Sequence, residues 1–175
     1  MRKPLSVLAS LACLAACAAP AAAPRTTAVS AASAQTRAAA RAVTERDAPQ
    51  GTLAFGTAFT WDDGVQLTVG KPTSFKPSKV AAGTDRFTSF VAYDVRVTNG
   101  TAKPLDAILI TSRATTGERQ SNRVFDRGVD VPTAKILPGR SLRWREAYGV
   151  VRGQPFVVTF QSGVTGAQPM FEFVP

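Results

Sequence analysis

Residues 87–101 read FTSFVAYDVRVTNGT, and the alternation within this stretch decides the fold class. Val91, Tyr93, Val95 and Val97 share one face, and Ala92, Asp94, Arg96 and Thr98 share the other. A period of two is typical of a half-buried β-strand. The stretch ends on Asn99-Gly100-Thr101, in which Asn and Gly accept the positive φ angles of a tight reversal. It therefore predicts a strand with one face in a core, followed by a turn.

Similar short alternating segments fill most of residues 51–175 and are separated by turn residues. No segment shows the apolar stripe of an amphipathic helix. This pattern predicts an all-β fold, an immunoglobulin-like antiparallel β-sandwich of about eight strands, with a barrel as the alternative. The Cys–Trp–Cys spacing of true immunoglobulin domains is absent, so the prediction concerns the architecture alone.

A more specific likeness rests on four segments: GVQLTVGKPTSFKPS (64–78), VAYDVRVTNGTAKPLD (91–106), VFD (124–126) and ILPGRSLRWREAYGV (136–150). Together they resemble a family of bacterial secreted lipoprotein domains of unknown function, some of which are catalogued under a telomeric repeat-binding factor name. The resemblance covers nearly all of residues 51–175. It implies an immunoglobulin-like sandwich and supplies no catalytic residues.

The composition excludes several classes of active site. The 175 residues contain no histidine and two cysteines, and the cysteines are Cys13 and Cys17 near the N-terminus. Neither a Ser-His-Asp nor a Cys-His catalytic arrangement can be built from such a chain, and neither can a zinc site of His or of several Cys. We therefore expect no catalytic residues and no cofactor.

The first segment predicts export. Arg2 and Lys3 precede Leu5–Ala16, a mostly apolar run that is short for a membrane span and suited to a signal peptide. Leu14-Ala15-Ala16-Cys17 resembles the bacterial lipobox, which implies cleavage before Cys17 and a lipid on its thiol. Residues 1–16 are then a lipoprotein signal peptide. The mature chain is expected to be extracellular and lipid-anchored on the outer face of the cytoplasmic membrane.

Two other interpretations of the leader remain open. An ordinary secreted protein would be cleaved between Ala34 and Gln35 and released in soluble form, and an uncleaved anchor is the third alternative. In the lipoprotein interpretation, residues 17–50 are the lipidated cysteine and a flexible tether, because this Ala- and Pro-rich stretch has almost no large apolar residue. The domain, residues 51–175, contains no cysteine and must fold without a disulfide.

The acidic residues raise two alternatives, a metal site and a hydrolase. Trp61-Asp62-Asp63-Gly64 offers a carboxylate pair to calcium, but these residues are equally typical of a turn and the EF-hand spacing is absent. Paired carboxylates would suit a small extracellular hydrolase acting on an envelope polymer. The carboxylates available for such a pair are Asp62, Asp63, Asp126, Asp130, Glu146 and Glu172. No spacing favours any pair, so we expect no metal site and keep the hydrolase as the alternative function.

Positive charge marks the candidate binding surface. From residue 51 onward, fifteen Lys and Arg stand against ten Asp and Glu, a net charge of +5. The candidate residues are Arg113, Arg119, Arg123, Arg143 and Arg145. Arg143 and Arg145 alternate with Leu142, Trp144 and Tyr148, which predicts that both guanidinium groups face solvent. Guanidinium donors match the geometry of phosphate and carboxylate.

These features predict a non-catalytic binding or interaction module on the cell surface. The expected partners are the membrane, through the lipid anchor, and an anionic cell-envelope polymer or a partner protein. Nucleic acid is not expected, because the domain lacks the aromatic residues of a stacking platform. A solvated surface without a partner is the alternative interpretation of the arginines, and nothing indicates the oligomeric state.

Overall fold

A computed structural model describes residues 43–46, 51–163 and 166–175. The predicted signal peptide (1–16), Cys17 and most of the predicted tether lie outside these residues. The described residues belong to one unit of the chain, Ala39–Pro175.

The described residues form fourteen strands and one short 3₁₀-helix, Ala107–Leu109. In chain order the strands are β1 (Val43–Thr44), β2 (Leu53–Ala54), β3 (Ala58–Thr60), β4 (Val65–Val69), β5 (Thr73–Ser74), β6 (Ser89–Asn99), β7 (Leu105–Asp106), β8 (Ile110–Thr116), β9 (Arg119–Gln120), β10 (Arg123–Val124), β11 (Lys135–Ile136), β12 (Ser141–Val150), β13 (Phe156–Ser162) and β14 (Met170–Phe173). Seven of them have three or more residues, close to the predicted number of about eight.

The strands form two main sheets that share one apolar core. The first sheet has the order β1-β3-β4-β6-β12-β10, with β5 also paired to β6. The second has the order β2-β14-β13-β8-β9, and β7 and β11 form a separate ribbon. This arrangement confirms the predicted all-β sandwich. The described strands form two separate sheets rather than the closed barrel of the alternative prediction.

Two short edge pairs depart from the predicted antiparallel arrangement. β1 runs parallel to β3, and β2 runs parallel to β14. β1 lies in the first sheet, β2 in the second and β3 in the first again, which provides the crossover connection that the parallel pair β1–β3 requires. Val43 and Thr44 thus belong to the sheet, although the sequence pattern assigned them to the tether.

The core follows the alternation that the sequence predicted. Tyr93, Val95 and Val97 of β6 are buried, and Val91 packs against them from a half-buried position. β4 buries its alternate residues on one side, and Phe156, Val158 and Phe160 of β13 face them from the second sheet. Burial of these side chains supplies the main stabilisation of a domain without a disulfide.

Part of the outer face of the first sheet is also covered. Ala92 and Ala147 form a second buried cluster with Val124 and Val129, and Phe75 packs against it. The segment after β5 supplies this cover, since Phe75 N–H donates to Phe90 O and Ala82 pairs with Phe125. The remaining part of this outer face stays open, and it carries the charged residues of β6 and β12.

The turn after β6 uses Asn99 and Gly100 in an unexpected way. Asn99 is fully buried, and its Nδ2 donates to Lys103 O and Ile136 O while its Oδ1 accepts from Thr101 N–H. Gly100 does not have a positive φ. A Cβ atom at this position would collide with Gly64 O, so close approach of two turns requires the glycine.

Candidate functional site

Three arginines lie together on the open outer face of the first sheet, and we call Arg96, Arg143 and Arg145 the arginine face. Arg143 on β12 lies directly opposite Arg96 on β6, and Arg145 lies opposite Asp94. All three arginines are exposed, as the alternation predicted for Arg143 and Arg145. The three arginines and Asp94 together carry a net charge of +2.

Each of the three guanidinium groups lies against a neighbouring side chain. Arg143 Nη2 lies 2.7 Å from Asp94 Oδ2, and Arg96 Nη2 donates to Ser141 Oγ at 3.4 Å. The guanidinium carbon of Arg145 lies 6.0 Å from the centre of the Phe75 ring. The ion-pair partner of Asp94 is Arg143, which lies diagonally across on β12, and not Arg96 two residues along its own strand. Long side chains such as arginine can reach across such a diagonal on one sheet face.

The other three predicted arginines do not join this surface. Arg113 projects from the outer face of the second sheet, on the opposite side of the sandwich, because β8 and β12 belong to different sheets. Arg119 lies with its guanidinium carbon 5.1 Å from the Phe87 ring centre. Arg123 lies opposite Tyr148, whose side chain faces the core, so Arg123 shares that inward direction. The five residues therefore do not form one contiguous patch.

Glu146 lies inside the sandwich and organises a polar network. It is 1% exposed and accepts four hydrogen bonds. Arg123 Nη2 and Trp144 Nε1 donate to Oε1 at 3.0 and 2.8 Å. Tyr93 OH and Ser112 Oγ donate to Oε2 at 3.1 and 2.6 Å. The carboxylate is thus fully paired, as a buried charge requires.

The network also keeps two phenol groups protonated. Burial, followed by the charge of Glu146, raises the pKa of Tyr148 to about 12. Burial and the same carboxylate raise the pKa of Tyr93 well above its ordinary value. The two rings stack with centroids 6.1 Å apart, and the hydroxyl oxygen of Tyr148 lies 2.7 Å from Ser112 Oγ. Both phenol groups therefore stay neutral beyond the pH at which an ordinary tyrosine ionises.

Sequence reasoning missed this network, although one signal was available. Glu146 has the same parity on β12 as Leu142, Trp144 and Tyr148, which were predicted to face the core. Alternation alone places its carboxylate inward. What the pattern lacked was the identity of the partners, because Tyr93, Ser112 and Arg123 come from three other strands.

A cleft opens beside the network, between β8 of the second sheet and β10 of the first. Its volume is ≈ 330 Å³. We call it the Ser121 cleft, and its lining residues are Gly83, Ser112, Arg113, Ala114, Gln120, Ser121, Asn122, Arg123, Phe125 and Tyr148. Arg113 and Arg123 are both among the lining residues, although Arg113 stands on the outer face of β8 and Arg123 points inward from β10. A larger groove of ≈ 540 Å³ lies at the end of the sandwich where β12 turns into β13.

Besides Glu146, four of the candidate carboxylates of a hydrolase are engaged in local contacts. Asp63 Oδ1 accepts from Val65 N–H within its turn, Asp62 pairs with Arg46, and Glu172 accepts from Thr52 Oγ1. Hydrogen bonds from Ser78 and from Arg127 N–H hold the pKa of Asp126 below its ordinary value. Among the residues that the structure describes, no Asp or Glu side chain lines either cavity.

The described residues also bear on metal binding and on membrane insertion. Within residues 43–46, 51–163 and 166–175, no three His, Cys, Asp or Glu residues come together in a way that could hold a metal ion. The described part of the chain also contains no helix with the length and apolar content needed to cross a membrane. Cys17, the predicted lipidation site, is outside the described residues.

Comparison with known proteins supports the fold. The chain matches no protein-family model and no curated protein. Among solved structures it is similar to ycdA of Bacillus subtilis, with a TM-score of 0.56 and 14% identity. That match covers 70% of this chain and 39% of ycdA. The ycdA protein is described as a candidate lipoprotein.

Two smaller proteins are similar over almost their whole length. The yjhA protein of Bacillus subtilis gives a TM-score of 0.56 at 10% identity, covering 68% of this chain and 97% of yjhA. The secreted protein MPT63 of Mycobacterium tuberculosis gives 0.50 at 15% identity, covering 71% of this chain and 97% of MPT63. At such identities the likeness concerns the fold, and this chain has the β-sandwich fold of these bacterial proteins.

Proposed function

We propose that this protein is a non-catalytic binding module of the cell envelope, anchored by a lipid on Cys17, whose arginine face contacts an anionic envelope polymer. The observation that carries the proposal is the position of Arg96, Arg143 and Arg145 on two neighbouring strands of one exposed sheet face. The lipobox-like sequence supports the location. So do the descriptions of ycdA and MPT63 as a candidate lipoprotein and a secreted protein.

The geometry of the face suits a polymer better than a small molecule. The side chains stand on a flat, open sheet surface, where each contact is weak because water and salt screen it. A polymer with repeated phosphate or carboxylate groups can engage several guanidinium groups at once, which multiplies weak contacts. Arg143 is already oriented by Asp94, so less side-chain entropy is lost on binding.

A charge-reversal experiment tests the proposal. Arg143→Glu with Arg145→Glu should leave the fold intact, because both side chains are exposed, and should abolish co-sedimentation with isolated envelopes at low salt. The matched control is Arg127→Glu with Arg152→Glu, which changes the net charge equally at exposed positions outside the arginine face. If both double variants lose binding equally, only net charge matters. If neither loses it, the arginine face is a solvated surface.

A further inference from the structure

We propose that one edge of β12 docks an extended, acidic segment of a partner protein, which binds by adding a strand to the first sheet. We call residues 141–146 the β12 edge. β6 pairs with one side of β12 along its whole length. On the other side, β10 pairs at Tyr148 and Ala147, and the chain then turns away because Phe125 pairs with Ala82. No strand among the described residues pairs with that side of the β12 edge.

The hydrogen-bond pattern shows which backbone groups point away from β6. In an antiparallel pair, every second residue bonds the partner strand, and the residues between direct their N–H and C=O groups to the opposite side. Gly149 N–H donates to β10, away from β6, and Arg143 and Arg145 share its parity. On β6, Asp94 lies opposite Arg145, and its C=O accepts from Gly70 N–H on the far side. The N–H and C=O groups of both arginines therefore point to the open side.

These groups form a template for another strand. Within residues 43–46, 51–163 and 166–175, the N–H and C=O groups of Arg143 and Arg145 have no hydrogen-bond partner. A row of unpaired backbone groups on a sheet edge can bond an extended peptide, and pairing of this kind is a common mode of peptide recognition. The backbone supplies affinity for any extended segment, so the side chains decide which segment fits.

The side chains of the β12 edge favour a segment that alternates apolar and acidic residues. Leu142 and Trp144 are half-buried on the inner face, where apolar residues of an added strand would cover them. Arg143 and Arg145 are exposed on the outer face, and Arg145 forms no ion pair in the part of the chain that the structure describes. Asp94 already offers Arg143 a carboxylate from β6, at 2.7 Å. An acidic residue on an added strand would offer Arg145 the same partner from the other side.

The charge of the β12 edge also argues against a second copy of this chain as the occupant. Antiparallel pairing of two such edges, centred on Trp144, would place Arg143 of one copy opposite Arg145 of the other. Like charges directly opposite each other destabilise a strand pair, and charged side chains on natural sheet edges oppose self-association in this way. The charges that repel a second copy attract an acidic strand.

Amide hydrogen exchange of the folded protein, followed by nuclear magnetic resonance, tests the site. The probe is the acetylated and amidated peptide Val-Glu-Val-Glu-Val-Glu-Val, and its control has Lys in place of Glu. The amides of Arg143 and Arg145 should exchange quickly in the free protein and at least about tenfold more slowly with saturating acidic peptide. The amides of Leu142 and Trp144 bond β6 and should be protected throughout. Unchanged exchange at the two arginines, or equal binding of the two peptides, would overturn the proposal.

A proline variant tests whether the backbone takes part. Arg143→Pro removes an N–H group that points to the open side, where strands tolerate proline. Arg143→Ala is the matched control, since it loses the same guanidinium group but keeps the N–H group. We expect Arg143→Pro to bind the acidic peptide at least about tenfold more weakly than Arg143→Ala. Equal affinities in two folded variants would contradict strand addition.

A modified probe gives the same test without altering the protein. The acidic peptide with every backbone nitrogen methylated keeps its charges but cannot donate to a strand, so it should not bind the wild-type protein. Binding equal to that of the unmodified peptide would contradict strand addition, and dimerisation of the free protein through the β12 edge would assign this edge to a second copy. Arg143→Pro and Arg143→Ala should bind isolated envelopes alike, because a polymer contacts the side chains. The two proposals can therefore fail independently.

Discussion

Arg123 Nη2 donates to Glu146 Oε1 across 3.0 Å and ties the edge strand β10 to its neighbour β12. The Arg143–Asp94 pair on the outer face is shorter, at 2.7 Å, but stands in solvent. The two pairs differ in burial rather than in chemistry, since Glu146 is 1% exposed and the Asp94 side chain is 47% exposed. Burial therefore decides how much each pair contributes to stability.

The first prediction compares these two pairs by truncation. Arg123→Ala leaves the Glu146 carboxylate buried without its cationic partner, and we expect a loss of about 3 kcal/mol in the free energy of unfolding. Arg143→Ala removes an exposed pair and should cost at most about 1 kcal/mol. Denaturant unfolding of both variants measures the difference. Equal losses would mean that the Glu146 network is more hydrated than the structure indicates.

The second prediction concerns alkaline pH. The protein has two tyrosines, and both lie in the network, so every phenol signal reports on it. Tyr148 should ionise only near pH 12, and the pKa of Tyr93 is likewise raised well above its ordinary value. Since the folded pKa values exceed the unfolded value of about 10, their contribution to stability is complete below that pH and declines as the pH rises towards 12.

Ultraviolet difference spectroscopy measures this titration directly. The native protein should show no phenolate absorbance where the denatured protein, as the control, titrates near pH 10. Native phenolate forming at that same pH, with the fold still intact, would show that the phenols are not buried against Glu146.

The third prediction tests the core. Val95→Asp places a charge in a fully buried position of β6 and should prevent folding, because an unpaired buried carboxylate costs several kcal/mol or more. Thr98→Asp, at a half-buried position on the outer face of the same strand, is the control and should fold. Circular dichroism of both variants distinguishes the outcomes. A folded Val95→Asp protein would contradict the assignment of the core face.

Strands β6 and β12 show which features of this structure the sequence predicts. Val95 inward and Arg143 outward both follow from local alternation, which depends on strand geometry alone. Local alternation does not predict that Arg113 and Arg143 lie far apart. Their separation depends on which strands pair, and strand pairing is a non-local property. Val43 was missed for a related reason, since a two-residue edge strand has too few positions to show a period.

The polar interior illustrates a second limit. By residue type alone, Glu146 would be expected at the surface. It is buried because four hydrogen-bond donors converge on its carboxylate. Such convergence appears only after the sheets are assembled. The same holds for the Ser121 cleft, whose walls come from both sheets. The arginine face as a binding surface stays a prediction.

The fourth prediction concerns the anchor. Cys17→Ala removes the thiol that would carry the lipid, so the protein should leave the membrane fraction or accumulate as its precursor. Cell fractionation followed by intact-mass measurement distinguishes the variant from wild type. A wild-type mature chain that begins with unmodified Gln35 would contradict lipidation and favour the secreted alternative.

The most direct test of the proposed function is the salt dependence of envelope binding. Retention of the wild-type protein on isolated envelopes should fall steeply as sodium chloride is raised, because salt screens contacts between exposed charges. The Arg143→Glu and Arg145→Glu double variant should bind weakly at every salt concentration, with a nearly flat curve. Superimposable curves for the two proteins would contradict the claim that the arginine face binds an anionic polymer.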